Sequence, residues 1–363
     1  MREYDVIVVG AGPAGASAAR AASQKGVRVV LVEEHPAIGL PRHCCGRLQG
    51  SSFTNAVVDS VDPRVILSEV RSRRYYSTRG KLVLDTPIPP RTAYMVARDE
   101  FDRELARLAA TAGTDIVLNT RVTAVLREKG RVTGVATASS RLPEVKGSIV
   151  IAAQGAQGRV KGIAGQEGLA PEETFGGAVM LELAPVRGLE AGVLELHMGG
   201  LFDRGYCNVW TRDTRSCFAG ITVEKLDTVK DAGYLLSRKF KDARPIQVLG
   251  VSLGSRSGEV LARVVKDGLM VVGDSAGYIS MMHAIVSGRL AGEVAAEAIR
   301  ERDVSEQRLQ RYADACRKLG LHRTGLTWQT LAPLRGMSDE KIEAVIPDML
   351  AKGHLAYRDI LPF

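Results

Sequence analysis

The chain has 363 residues, 45% hydrophobic and 25% charged, enough for a sizeable core and two substructures. A net charge of +8 favours acidic partners or an anionic membrane surface; with 5% aromatics and no nucleic-acid motif, nucleic acid is not an expected partner. No apolar run approaches the ~20 residues of a spanning helix, which excludes an integral membrane protein built on such helices.

A β-branched run, Val6-Ile7-Val8-Val9, predicts a strand buried on both faces. Gly10-Ala11-Gly12-Pro13-Ala14-Gly15 follows, then an alanine-rich helical pattern to Gln24 that Gly26 stops. A second strand over residues 27–32 ends in Glu33, with Glu34 beside it. This is a βαβ unit with G-x-G-x-x-G spacing where a dinucleotide needs it. Gly10 permits the tight turn, Gly12 the close approach of a diphosphate, and Gly15 the packing of helix on strand. Pro13 and Ala14 open the helix whose N-terminus would face the phosphates. Glu33, with Glu34 as its neighbour, would accept hydrogen bonds from a ribose.

The stretch Ile38-Gly39-Leu40-Pro41-Arg42-His43-Cys44-Cys45-Gly46 predicts an irregular loop. It leaves the C-terminal side of the second strand, where open α/β sheets place ligands. Arg42 and His43 are positioned to lower the pKa of a neighbouring thiol. Residues 50–90 lack helical periodicity, carry strand-like runs such as 81–84, and read as an insertion. Phe101, Leu105, Leu108 and Ala109 share one face of a helix for which Asp99 is the expected N-cap. Short strands are expected at 115–118, 122–126 and 132–136, then a buried one at 148–153 that runs into Gln154-Gly155.

From about residue 165 to 255 the pattern is mostly β, with turns expected at Gly176-Gly177, Gly199-Gly200 and Asp213. Residues 269–272 form the last buried strand, followed by Gly273-Asp274 and a helix rich in small residues from about Ser287 to Arg300. Beyond residue 305 the tail reads as helical, and Pro347 is expected to break or restart its last helix. The five cysteines show no C-x-x-C spacing, so no metal site is expected. An odd cysteine count, and opening residues that read as a strand, predict reduced thiols and a cytoplasmic protein.

Four signals stand in one order: Gly10 to Gly15 with Glu33, Arg98 before Phe101 and Asp102, the strand into Gln154-Gly155, and Gly273-Asp274 before a small-residue helix. This order resembles the FAD-binding flavoproteins of the hydroxylase-like class and, within it, the geranylgeranyl reductase family, over nearly the whole chain. The implied fold is α/β: a discontinuous Rossmann-like FAD-binding domain (1–47, 91–162, 256–300), an inserted β-rich substrate domain (48–90, 163–255) and a helical C-terminal region (301–363). In the class, the arginine matching Arg98 helps hold the diphosphate or ribose, and the aspartate matching Asp274 binds the ribityl chain; Gly155 and Gly273 are the backbone positions beside them.

The loop from Ile38 to Leu48 resembles the reductases' flavin-facing loop, whose cysteine falls on Cys44, or on Cys45 with a one-residue shift. His43 is a candidate proton donor. Tyr206, with Trp210, resembles a strand that lines the prenyl channel, and Arg335 to Glu340 resembles the family's C-terminal helical region. The resemblance implies saturation of C=C bonds in a geranylgeranyl-type isoprenoid lipid by hydride from the reduced flavin N5, at a peripheral membrane contact. NAD(P)H or a reduced ferredoxin would supply electrons; no second G-x-G-x-x-G follows a strand, so a nicotinamide donor would bind transiently. Flavin monooxygenases share these cofactor motifs, and a non-catalytic flavin- or lipid-binding relative is a third reading. The chain departs from the class in having Gln154 where an aspartate is usual, and a shorter connection between Asp274 and Ser287.

Overall fold

The structure is a computed structural model that describes residues 3–42, 44, 46–49, 53–169, 175–198, 206–211, 216–223, 240, 242–255, 262–278, 280–321 and 337–351. The strands begin with β1 Glu3–Val9, β2 Val29–Val32, β3 Arg47–Gln49, β4 Ile66–Glu69, β5 Ser72–Ser77 and β6 Leu82–Pro87. They continue with β7 Ala93–Val96, β8 Asp115–Val117, β9 Val122–Glu128, β10 Arg131–Thr137, β11 Glu144–Ala152 and β12 Phe175–Ala184. The last are β13 Val193–Met198, β14 Tyr206–Thr211, β15 Cys217–Val223, β16 Arg244–Ser255, β17 Val265–Lys266 and β18 Leu269–Val271. The helices are α1 Pro13–Gln24, α2 Thr54–Val58, α3 Arg98–Thr111, α4 Gly155–Val160, α5 Ile163–Gln166, α6 Met281–Glu301, α7 Glu306–Lys318 and α8 Asp339–Ala351.

The chain divides into two units: Met1–Pro41, Asp99–Thr174 and Gly254–Thr324 in the first, and Arg42–Arg98, Phe175–Leu253 and Gly325–Phe363 in the second. The tail helices therefore separate, α7 belonging to the first unit and α8 to the second.

The first unit is built on a sheet of order β17-β18-β11-β1-β2-β8, with β10 paired to both β11 and β9. Val6, Ile7 and Val8 are wholly buried, as a central strand covered on both faces requires. The alanines of α1 have a specific reason. A Cβ at Gly288 or Gly292 of α6 would overlap the carbonyl oxygen of Ala14 or Ala18, so the two helices pack backbone against backbone. Helix α6 starts at Met281, six residues ahead of the expected Ser287, because the Ser280 hydroxyl caps it by accepting the His283 N–H at 3.0 Å. Helix α3 starts at Arg98, so Asp99 lies in its first turn and not at the N-cap; its charge there still complements the dipole.

The second unit holds a sheet of order β16-β12-β15-β14-β13-β5-β6 and a small sheet of order β3-β7-β4. Period-two alternation sends Leu194 and Leu196 of β13 to one face, where they join Tyr75, Met95, Trp210 and Phe218. Ile342 and Ile346 of α8 complete this apolar cluster. The Asp339 carboxylate anchors the helix start by accepting the Thr78 N–H and hydroxyl, each at 2.8 Å. The expectation that Pro347 breaks this helix is corrected: it lies inside α8, where burial of Ile342 and Ile346 outweighs one lost backbone bond. Gly176 and Gly177 do not turn the chain either. They lie within β12, and the pairing of Gly177 with Val223 of β15 supplies the ladder that local propensity lacks. The turns expected at Gly199-Gly200 and Asp213 lie outside the described residues.

Candidate active site

In the first unit, β18, β11, β1 and β2 are neighbouring parallel strands, and Val271, Ala152, Val9 and Val32 stand in register across them. Immediately beyond this row each strand runs into a motif: Gly273-Asp274, Gln154-Gly155, Gly10 to Gly15, and Glu33. Four stretches from three separate regions of the sequence thus open along one sheet edge, at strand ends where α/β proteins bind ligands.

The glycines differ in what they do there. Gly10 has φ +98°, and Gly15 has no room for a side chain, since a Cβ would overlap the Gly10 carbonyl oxygen. Gly12 is the opposite case: a Cβ there would meet nothing within 4 Å. It is also the N-cap of α1, with no side chain capping that turn and Pro13 opening the helix. An uncapped helix N-terminus beside open space fits a diphosphate. Ala14, next in the turn, is buried against α6.

The Glu33 carboxylate is held against the glycine loop. One oxygen accepts the Ala11 N–H at 2.7 Å; the other accepts the His35 N–H at 3.0 Å and lies 2.6 Å from His35 Nδ1. The oxygen that accepts from Ala11 keeps a second lone pair, so the group can still accept from a ribose. Glu34 turns aside, with its carboxylate 3.7 Å from Arg121.

Gly155 has φ +68°, and its carbonyl accepts the Ser275 hydroxyl at 2.8 Å, which ties the loop after β11 to the loop after β18. Gly273 has φ +60° and donates its N–H to Ser287 Oγ at 3.1 Å. Asp274 follows, half-buried, in a 3₁₀ turn over Gly273–Ala276. Gln154 is structural: its Oε1 accepts the Ile163 N–H at 2.8 Å and so caps α5. The partner lies nine residues on, so nothing in the sequence around Gln154 signals the cap, and the residue stands out only as a departure from the class pattern.

In the second unit, Cys44 is half-buried, packs against the apolar cluster that contains Trp210, and its Sγ accepts the Gly46 N–H at 3.5 Å. Arg98 is half-buried next to Gly46, where a Cβ would lie 3.3 Å from Arg98 Cγ. Tyr206 opens β14, paired with Thr222; its side chain, like His43 and Cys45, lies outside the described residues. The Arg42 guanidinium is buried in an ion pair with Glu182, donates to Gln247 Oε1 at 2.7 Å and lies 5.0 Å from the Phe218 ring centroid, partners that its place in the sequence does not predict. Glu182, Gln247 and Ser287 carry no sequence signal of their own; only the pairing of distant strands and helices gives them these roles.

The row of motifs and the uncapped turn at Gly12 define a dinucleotide-binding α/β protein. Residues 5–167 match the family model described as FAD dependent oxidoreductase. The chain is 30% identical over 325 residues to a digeranylgeranylglycerophospholipid reductase of Methanoculleus marisnigri, covering 85% of this chain and 80% of that one. It is 28% identical over 366 residues to the protein of that name from Thermoplasma acidophilum, covering 95% and 91%. It also superposes on a geranylgeranyl bacteriochlorophyll reductase-like structure from Thermoplasma acidophilum with a TM-score of 0.87 at 26% identity, covering 99% and 95%. A flavin-dependent brominase, at TM-score 0.73 and 16% identity over 97% and 93%, shares the fold alone. The chain belongs to the geranylgeranyl reductase family of FAD-dependent oxidoreductases.

Proposed function

We propose that the protein is an FAD-dependent reductase that saturates C=C bonds of a geranylgeranyl-type isoprenoid lipid. The observation that carries this reading is the 30% identity, sustained over 85% of the chain, to a digeranylgeranylglycerophospholipid reductase. Reduced FAD, when bound, supplies the hydride from N5 to one alkene carbon. The chain's own residues do the rest. Gly12 and the first turn of α1 seat the diphosphate, Glu33 takes the ribose, and Asp274 takes the ribityl hydroxyls. Arg98 adds a cation for the diphosphate or ribose.

In this reading the apolar cluster with Trp210 serves the prenyl chain, and Cys44, which packs against that cluster, is the proposed catalytic thiol. In this reading the first unit is the FAD-binding domain and the second the substrate domain. A proton must reach the second alkene carbon, for which the Cys44 loop, including His43, is the proposed source. Among the described residues no helix is long and apolar enough to cross a membrane. The +8 charge suits an anionic bilayer surface from which a lipid is taken, and suits a reduced ferredoxin as electron donor; NAD(P)H is the alternative donor.

The test is anaerobic. FAD-loaded protein is reduced with dithionite and incubated with digeranylgeranylglycerophospholipid in vesicles. Mass spectrometry should find one added H2 per saturated bond, and Cys44→Ala should lose most product while retaining FAD. Unchanged lipid throughout, or oxygen-dependent hydroxylation with NAD(P)H, would overturn the proposal.

A further inference from the structure

Two side-chain nitrogens of the first unit, among the described residues, are buried without a hydrogen-bond partner: His283 Nδ1 and Arg308 Nη1. Arg308 is compensated, because its other nitrogens pair with Glu297 and Glu301. His283 is not. It is 7% exposed, and burial pushes its imidazole down to about 4, so the ring is neutral near pH 7. A folded protein rarely leaves such a group unpaired unless a ligand or water completes it.

The position of His283 narrows what that ligand is. It lies in the first turn of α6, four residues before Ser287, so both sit on one helix face. Ser287 accepts the Gly273 N–H on that face, and a Cβ at Gly273 would lie 3.5 Å from Ala284 Cβ. His283 therefore stands one helical turn from the Ser287–Gly273 contact, at the end of α6 that follows the turn holding Asp274, and helix side chains lean toward that end. In the row of strand ends, order β18-β11-β1-β2, that turn lies at one end and Glu33 at the other. A dinucleotide stretched along the row, with its adenosine ribose on Glu33 and its diphosphate at Gly12, brings its other half to β18.

We propose that His283 is a cofactor-contacting residue of this chain, whose Nδ1 takes its missing hydrogen bond from the flavin half of bound FAD. As donor, Nδ1–H serves a ring carbonyl or ribityl oxygen; as acceptor, Nδ1 takes a ribityl hydroxyl.

The experiment separates this role from a structural one, because the two predict opposite things for apoprotein and complex. Wild-type FAD affinity, measured first by flavin fluorescence, checks the cofactor reading itself. In His283→Leu the apoprotein should melt at or above the wild-type temperature, since an unpaired buried polar group has been replaced by an apolar one. FAD binding should nevertheless weaken about tenfold, and His283→Gln should recover part of the loss. Binding within twofold of wild type in both variants would overturn the assignment. A measurement on unsubstituted protein guards against a folding defect. With six histidines in the chain, 15N-histidine NMR can follow the His283 ring, assigned by its absence from His283→Gln. FAD should shift its Nδ1 resonance and ADP, which carries only the adenosine half, should not. A resonance that ignores saturating FAD, or follows ADP equally, would overturn it.

Discussion

Replacing Gly12 by alanine should separate cofactor binding from stability. The backbone at Gly12, φ −67° and ψ −178°, is one that alanine adopts freely, and the added Cβ meets nothing within 4 Å. Two small effects on the apoprotein then oppose each other. Alanine restricts the unfolded chain, which gains about 0.4–1 kcal/mol. As an N-cap it is poorer than glycine, at a cost of a similar fraction of a kcal/mol. The net change should lie within about 1 kcal/mol of zero. The complex behaves otherwise, because the new methyl occupies the space a diphosphate needs. Overpacking of about 1–3 kcal/mol predicts FAD affinity lower by roughly 5- to 150-fold. Gly15→Ala is the internal contrast: its Cβ would overlap the Gly10 carbonyl and lie 3.2 Å from Ala153 Cβ, so stability and binding should fall together. Urea unfolding of flavin-free protein and FAD titration by fluorescence read both quantities. A Gly12→Ala apoprotein destabilised as much as Gly15→Ala, or one that binds FAD like wild type, would refute the reasoning.

Arg42→Met should destabilise the protein by about 3–5 kcal/mol, because it breaks a buried ion pair by removing the guanidinium from the Glu182 carboxylate. Arg42→Met combined with Glu182→Leu should restore most of that, and a double variant no better than the single one would contradict it. For pH, the His283 imidazole has an ordinary value of 6.5 and about 4 when folded. Between those values the unfolded chain binds the extra proton, so stability is lost as pH falls from 6.5 to 4, by about 3 kcal/mol in full. Urea midpoints of His283→Leu apoprotein should lack this limb; an unchanged profile would assign it to other groups.

What could be read from the sequence was what is local. The G-x-G-x-x-G turn, its flanking strands and Glu33 lie within thirty-odd residues, and period and turn chemistry suffice for them. The β-rich stretch and the last buried strand were visible for the same reason. The start of α6 was not, because Met281 to Val286 is an almost unbroken apolar run without an amphipathic period, and the cap at Ser280 is a single hydroxyl. Gly176-Gly177 and Pro347 followed local rules that pairing to β15 and burial of Ile342 and Ile346 overrode. The Arg42–Glu182 pair spans 140 residues and becomes legible only once the sheet of the second unit is assembled.

The two departures from the class pattern are absorbed differently by the first unit. Gln154 keeps a structural duty, the cap on the Ile163 N–H, so losing the usual aspartate leaves no gap at the end of β11. The short connection after Asp274 leaves the turn itself intact. Gly273 is fixed by Ser287, the Tyr278 N–H returns to the Gly273 carbonyl at 3.1 Å, and Gly277 returns to Asp274 at the same distance. None of these bonds depends on a longer loop, so Asp274 is held in place without one. What the shortening changes is therefore the stretch beyond Asp274. There the first turn of α6 follows the Gly273 turn within a few residues, and with it comes the unpaired nitrogen of His283. A polar contact from the helix itself is the simplest way for this chain to offset a backbone loop it does not carry.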